Sequence, residues 1–205
     1  MPYFEEICLI NLSGGGLKLH IQNVLKAIDE NSKIIRKIKI SNMNLNDNTI
    51  TNTICKLIEE KQFLTNLDIS WGRFSAQHLH SISRSLHKNP NQIVNLNISY
   101  NSVTFKELQV DQFFNSEDFF DQFCEYLEET ESLNHIDLSG LSFGREQLNI
   151  ICPLLTQINT LMAVHLSDMG IKRNEEDPDN DLMLEVLDYF GIDNSFIRIG
   201  KETTY

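Results

Sequence analysis

One spelling of apolar and polar positions recurs six times along the chain: an aliphatic, two variable residues, an aliphatic, one variable residue, and a third aliphatic followed by Ser. The copies are Ile7-Ile10-Leu12, Ile35-Ile38-Ile40, Leu64-Leu67-Ile69, Ile93-Leu96-Ile98, Leu133-Ile136-Leu138 and Leu161-Val164-Leu166. Five places after each third aliphatic an apolar side chain returns, at Leu17, Leu45, Phe74, Val103, Phe143 and Ile171. The units begin near residues 7, 35, 64, 93, 133 and 161, at spacings of 28, 29, 29, 40 and 28. Self-similarity at this period marks a solenoid.

Alternate side chains of an extended segment face opposite ways, so the second and third aliphatics point inward together. The residues between them, Asn11, Lys39, Asp68, Asn97, Asp137 and His165, then face out, and all six are polar. After each strand the apolar period shifts toward 3.6. Ile50, Ile54, Leu57 and Ile58 make one helical stripe, and Leu79, Ile82 and Leu86 the next. Phe119, Phe120, Phe123 and Leu127 follow, then Leu148, Ile151, Leu154 and Leu155. This alternation predicts an α/β solenoid, with a parallel sheet on the concave side and helices on the convex side. A single domain spans 1–205.

The repeat resembles the leucine-rich-repeat family, specifically its long-period, ribonuclease-inhibitor-like class, over about residues 7 to 171. That family usually places Asn or Cys two residues before the last apolar position. Here those places hold Gly15, Met43, Gly72, Asn101, Leu141 and Met169, so only Asn101 fits, and an incomplete side-chain ladder is expected. The resemblance implies a right-handed arc that binds other proteins. Members of the class serve as architectural subunits, including in cilia and axonemes, as GTPase-activating proteins, or as adaptors in actin and ubiquitin pathways.

Composition narrows the partners. A formal net charge of −12 and a pI near 4.8 argue against nucleic acid or an anionic membrane. No apolar run approaches the roughly 20 residues that cross a bilayer. The acidic start, Met1 to Glu6, is unlike a signal peptide, so the expectation is an intracellular, cytoplasmic protein, with a cilium or an organellar complex as the narrower placement. Cys55, Cys124 and Cys152 each lie nine residues before the next repeat's first aliphatic, an equivalent helical site that predicts reduced core thiols. Cys8 falls on a strand.

The irregularities carry the candidate sites. The fourth unit is about eleven residues too long, with the excess near 104–118. Phe113 and Phe114 there either shield the core or anchor a partner. From 172 to 205 an acidic loop leads into a half-repeat, with a helix from about Leu182 to Phe190 stopped at Gly191. Asp177, Asp179 and Asp181 imitate the opening of a calcium loop, but Leu182 stands where that loop needs Gly. The position after each Ser reads Gly14, Asn42, Trp71, Tyr100, Gly140 and Asp168. Trp71 and Tyr100 should therefore be neighbours about 5 Å apart, either exposed as a binding anchor or tucked into the loops.

Around them lies a polar sheet that includes Asp68, Asn97, His135, Asp137 and His165. Arg36, Lys37 and Lys39 form a basic spot that could seat an acidic segment or simply be a solvated edge. His135, Asp137 and His165 lie on adjacent strands, but a nucleophile elbow, a phosphate loop and a paired-carboxylate cleft are absent from the sequence. No catalysis, cofactor or metal is expected. The expected function is a protein–protein interaction scaffold, a structural subunit or adaptor of a multisubunit assembly. A small-GTPase regulator and an actin- or ubiquitin-pathway adaptor are the alternatives.

Overall fold

The computed structural model of the 205-residue chain describes residues 4–103, 116–169 and 182–191. Strands and helices alternate: β1 (Glu6–Ile10), α1 (Leu17–Asn31), β2 (Lys37–Ser41), α2 (Asn48–Glu60), β3 (Asn66–Asp68), α3 (Ala76–Lys88), β4 (Asn95–Asn97), α4 (Ser116–Glu129), β5 (His135–Asp137), α5 (Arg145–Gln157), β6 (Ala163–His165) and α6 (Leu182–Tyr189). The strands form one parallel sheet in chain order. Ile7, Ile38, Leu67, Leu96, Ile136 and Val164 are successive partners across it. The predicted helical stripes face the same core, which is continuous from Ile21 to Val186. Neighbouring strands sit about 4.8 Å apart, whereas packed helices need about 8–10 Å, so the sheet takes the concave side. The fold is a leucine-rich-repeat-type α/β solenoid.

Local chemistry starts the helices where the pattern changes. Asp47 caps α2, its carboxylate accepting from the amides of Thr49 (2.9 Å) and Ile50 (3.2 Å) and from the Gln22 side chain (3.0 Å). Asn101 is the single polar rung of the strand-loop ladder, as its place in the repeat predicts. Its Oδ1 accepts from Phe74 N (3.0 Å), while Nδ2 donates to the carbonyls of Ile69 (3.1 Å) and Ile98 (2.9 Å). The equivalent Met43, Leu141 and Met169 are buried apolar fillers. All four cysteines are free, with Cys124 and Cys152 buried in adjacent helices. Burial pushes their thiols up to about 12 and about 11, which keeps them protonated.

The first repeat departs from its predicted frame. Ile7 pairs with Ile38 and Leu9 with Ile40, so the unit begins at Phe4, three residues earlier than the spelling suggests. Ile10 and Leu12, predicted to point inward, are 45% and 43% exposed. Cys8, not Asn11, is the outward residue opposite Lys39, and Ile10 stands where the later repeats carry Ser. In Glu6–Ile10 the core can take either Ile7 and Leu9 or the opposite face, and Ile38 and Ile40 already wait across the strand. The turn from Asn11 to α1 is as long as that from Asn42 to α2, so the extra residues of the first unit lie in α1, which has 15 residues against 13 in α2. Gly14 and Gly16 in that turn are at positive φ.

Between α1 and α2 one ion cluster is partly buried. Asp29 receives Lys56 Nζ at 2.6 Å and Lys61 Nζ at 3.2 Å, and the same Lys61 ammonium also donates to the Asp29 carbonyl. Burial alone would raise the Asp29 carboxyl, but the two ammonium groups outweigh it and hold the group below its ordinary 3.8. A carboxyl held down in the folded state stabilises the protein above pH 3.8 and loses that stabilisation as pH falls through its lower native value. In urea titrations across pH 2 to 6, Asp29→Asn should show a shallower acid limb than wild type. Superimposable slopes would show that the cluster contributes nothing to acid stability. Asn101→Ala leaves Phe74 N and two carbonyls unpaired in the core and should cost about 2–4 kcal/mol by urea unfolding.

Candidate functional site

One to three residues beyond each strand stands a residue in left-handed conformation. Asn11, Asn42, Trp71, Tyr100, Gly140 and Asp168 have φ of 58°, 56°, 54°, 54°, 69° and 53°. There the chain turns from the sheet toward the next helix while its N–H still reaches the following repeat. The amides of Asn11, Asn42, Trp71, Tyr100 and Gly140 donate to the carbonyls of Ser41, Ser70, Ser99, Ser139 and Ser167, at 2.7–3.1 Å. The side chains of this row therefore stand on the rim, along the C-terminal ends of the strands, and none is needed to fill the core.

Four of them interlock. The indole of Trp71 stacks on the ring of Tyr100, with centroids 4.1 Å apart and planes inclined by 13°. Tyr100 lies across Gly140, where an added Cβ would sit 2.5 Å from the ring, and its hydroxyl donates to the carboxylate of Asp168. That hydrogen bond, with burial and the charges of Asp168 and Asp137, raises the Tyr100 hydroxyl above its ordinary value. Trp71 remains 52% exposed. Of the two placements open to the pair from sequence, Trp71 takes the exposed one, whereas Tyr100 is half-buried. A bulky residue in left-handed backbone costs about 1–2 kcal/mol, yet two aromatics occupy this position side by side.

The remaining predicted residues divide. The basic spot is not free, because each cation faces a carboxylate: Lys37 with Glu6 (2.7 Å), Lys39 with Asp68 (2.6 Å) and Arg36 with Glu5 (3.9 Å). Register explains these pairings, since in-register parallel strands set Glu6 beside Lys37 and Asp68 beside Lys39. Asp68, Asn97 and Asp137 also serve the turn. Their Oδ1 atoms accept from the amides of Ser70 (3.1 Å), Ser99 (3.0 Å) and Ser139 (3.0 Å). His135 and His165 approach with ring centroids at 4.8 Å. Among the described residues no three His, Cys, Asp or Glu side chains gather as a metal site, and no helix is long and apolar enough to cross a membrane. Phe113 and Phe114, and the calcium-loop-like Asp177, Asp179 and Asp181, lie outside the described residues.

At the C-terminal end a groove of about 1280 Å³ opens between β6 and α6, lined in part by Leu161, Met162, Val164, Val186 and Phe190. The helix α6 ends at Tyr189, with Gly191 at φ 64°. Sequence reasoning placed Gly140 and Asp168 at the rim position but gave them no role. The available signal was their shared register with Trp71 and Tyr100, together with the one missing side chain beside an aromatic ring.

Comparison with protein-family models finds no match, and comparison with curated proteins finds none. Solved structures do match in shape. One, described as leiomodin-1 actin-binding site 2, has a TM-score of 0.57 at 15% identity, covering 82% of this chain and 87% of that one. A Caenorhabditis elegans tropomodulin C-terminal domain has a TM-score of 0.49 at 14% identity, covering 82% of this chain and 92% of that one. The leiomodin-1 likeness establishes a shared fold.

Gly140→Ala tests the rim's construction. A methyl group there collides with Tyr100 on a backbone already at φ 69°, so Tyr100 should leave both Trp71 and Asp168, at a stability cost of about 1–3 kcal/mol. Trp71 is the sole Trp, and its emission should shift accordingly. An unchanged spectrum would show that the stack does not depend on the space above Gly140.

Proposed function

We propose that the chain is a non-catalytic protein-binding arc of the long-period, ribonuclease-inhibitor-like class, and that it serves as a fixed part of a multisubunit assembly. The observation that carries this reading is the Trp71–Tyr100 stack, half open to solvent and held from beneath by Gly140 and from the side by Asp168. Exposed Trp and Tyr provide large, rigid contact area and are enriched among the residues that dominate binding energy. Holding the rings in place beforehand reduces the ordering cost of association. Basic residues on the concave sheet are engaged by their own carboxylates, which favours the rim over the basic spot as the contact.

A narrower reading takes actin as the partner. It is favoured by the likeness to the leiomodin-1 structure, which is described as an actin-binding site. The ciliary placement gains no support from the fold or the rim.

Co-sedimentation with actin filaments, and pull-down from native extract, should each be run with wild type and with Trp71→Ala/Tyr100→Ala. Loss of two dominant aromatic contacts should weaken binding by at least about 30-fold, corresponding to about 2 kcal/mol. Wild type that stays in the supernatant removes actin filaments as the partner. A double variant that still captures the same proteins removes the rim as the contact surface.

A further inference from the structure

The rim also has a charge pattern, and it constrains which side chains it can receive. Along the register row, Asn42 and Asn11 are joined through Nδ2 and Oδ1 at 3.3 Å, and Tyr100 is fastened to Asp168. The indole of Trp71 is the open member between them, stacked on one side by Tyr100 and 52% exposed. Beyond Tyr100 the field is negative, because Asp137 and Asp168 both act on its hydroxyl. Asp168 is exposed, and its carboxylate has accepted one bond from Tyr100 with lone pairs to spare. Of the cations near the row, Lys39 is bound to Asp68, and Arg73 sits two residues past Trp71 on a separate positive-φ turn. An aromatic face beside carboxylates attracts cations and repels anions, and guanidinium stacks on indole better than ammonium does.

The geometry points to an extended basic segment of a protein partner as the occupant of this rim, with one Arg laid on the open part of Trp71 and a second cation at Asp137 and Asp168. Trp71 and Asp168 follow strands three places apart in the sheet, about 14 Å at the usual strand spacing, and an extended peptide covers that distance in about four residues. Side chains four apart on such a peptide also point the same way. The segment should therefore carry its two cations at i and i+4. This rests on reading the rim as a protein-binding surface, and it adds the chemistry and spacing of what binds.

The single Trp provides the readout. The full chain is titrated at low salt with the capped peptide Gly-Arg-Gly-Gly-Gly-Arg-Gly, and separately with the same peptide carrying Gln or Glu in place of Arg, following Trp71 emission. The Arg peptide should give a saturable change that weakens as salt rises, the Gln peptide should bind at least about fivefold more weakly, and the Glu peptide should give no response. Asp137→Asn and Asp168→Asn should each weaken the Arg peptide by about two- to fivefold. Glu128→Gln, which changes net charge equally from an exposed site on α4, should leave it within about twofold.

An emission spectrum indifferent to the Arg peptide, or equal responses to all three peptides, overturns the assignment. So does an effect of Glu128→Gln as large as that of Asp168→Asn. If the Arg peptide fails while Trp71→Ala/Tyr100→Ala loses the proteins that wild type captures from native extract, the basic segment is wrong and the protein-binding rim stands. If the double variant changes nothing either, both readings fall.

Discussion

The structure depends on one backbone arrangement repeated along the sheet. Just beyond each strand a residue swings into left-handed conformation, and in the first five repeats its N–H is spent on the carbonyl of a Ser in the next repeat. This extends the parallel ladder by one bond beyond the strand and turns the chain outward to begin a helix. With each repeat tied to the next in register, the aliphatics Ile38, Leu67, Leu96 and Ile136 fall into line. A strand and helix of under thirty residues cannot bury its own apolar face, so this alignment is what creates an interior.

The same arrangement frees one position from structural duty. A left-handed residue at the strand end projects its side chain to the rim, so packing does not dictate its identity. Only the backbone does, and it tolerates Asn, Asp and Gly most readily. Four of the six positions follow that preference. Trp71 and Tyr100 do not, and they are neighbours whose rings stack, with Gly140 clearing space under one and Asp168 binding it. Two costly choices supporting each other at a position open to solvent are the ground on which the rim is proposed as the contact surface.

Much of the concave sheet is internally satisfied. Lys37 and Lys39 meet carboxylates across the strands, and the Asx side chains at 68, 97 and 137 hold the Ser amides that follow them. As separate letters these residues resemble a polar binding face. Once in register they become pairs and turn caps, whereas Trp71 and Asp168 stand on the rim outside those ion pairs.

The period and the alternation within it were enough to determine the parallel sheet, the helical layer, the equivalent cysteines and the lone Asn101 rung. All of these follow from local rules: which side chains share a face, and where the period changes from 2 to 3.6. The frame of the first repeat was not local. The stretch from Phe4 to Leu12 offers two apolar alternations, and only pairing with Ile38 and Ile40 selects the one carried by Ile7 and Leu9. Adjacency of Trp71 and Tyr100 was likewise legible from the row. Their exposure, the empty space at Gly140 and the grip of Asp168 depended on how rings from repeats far apart in sequence settle against one another, and that is decided only when the repeats are stacked.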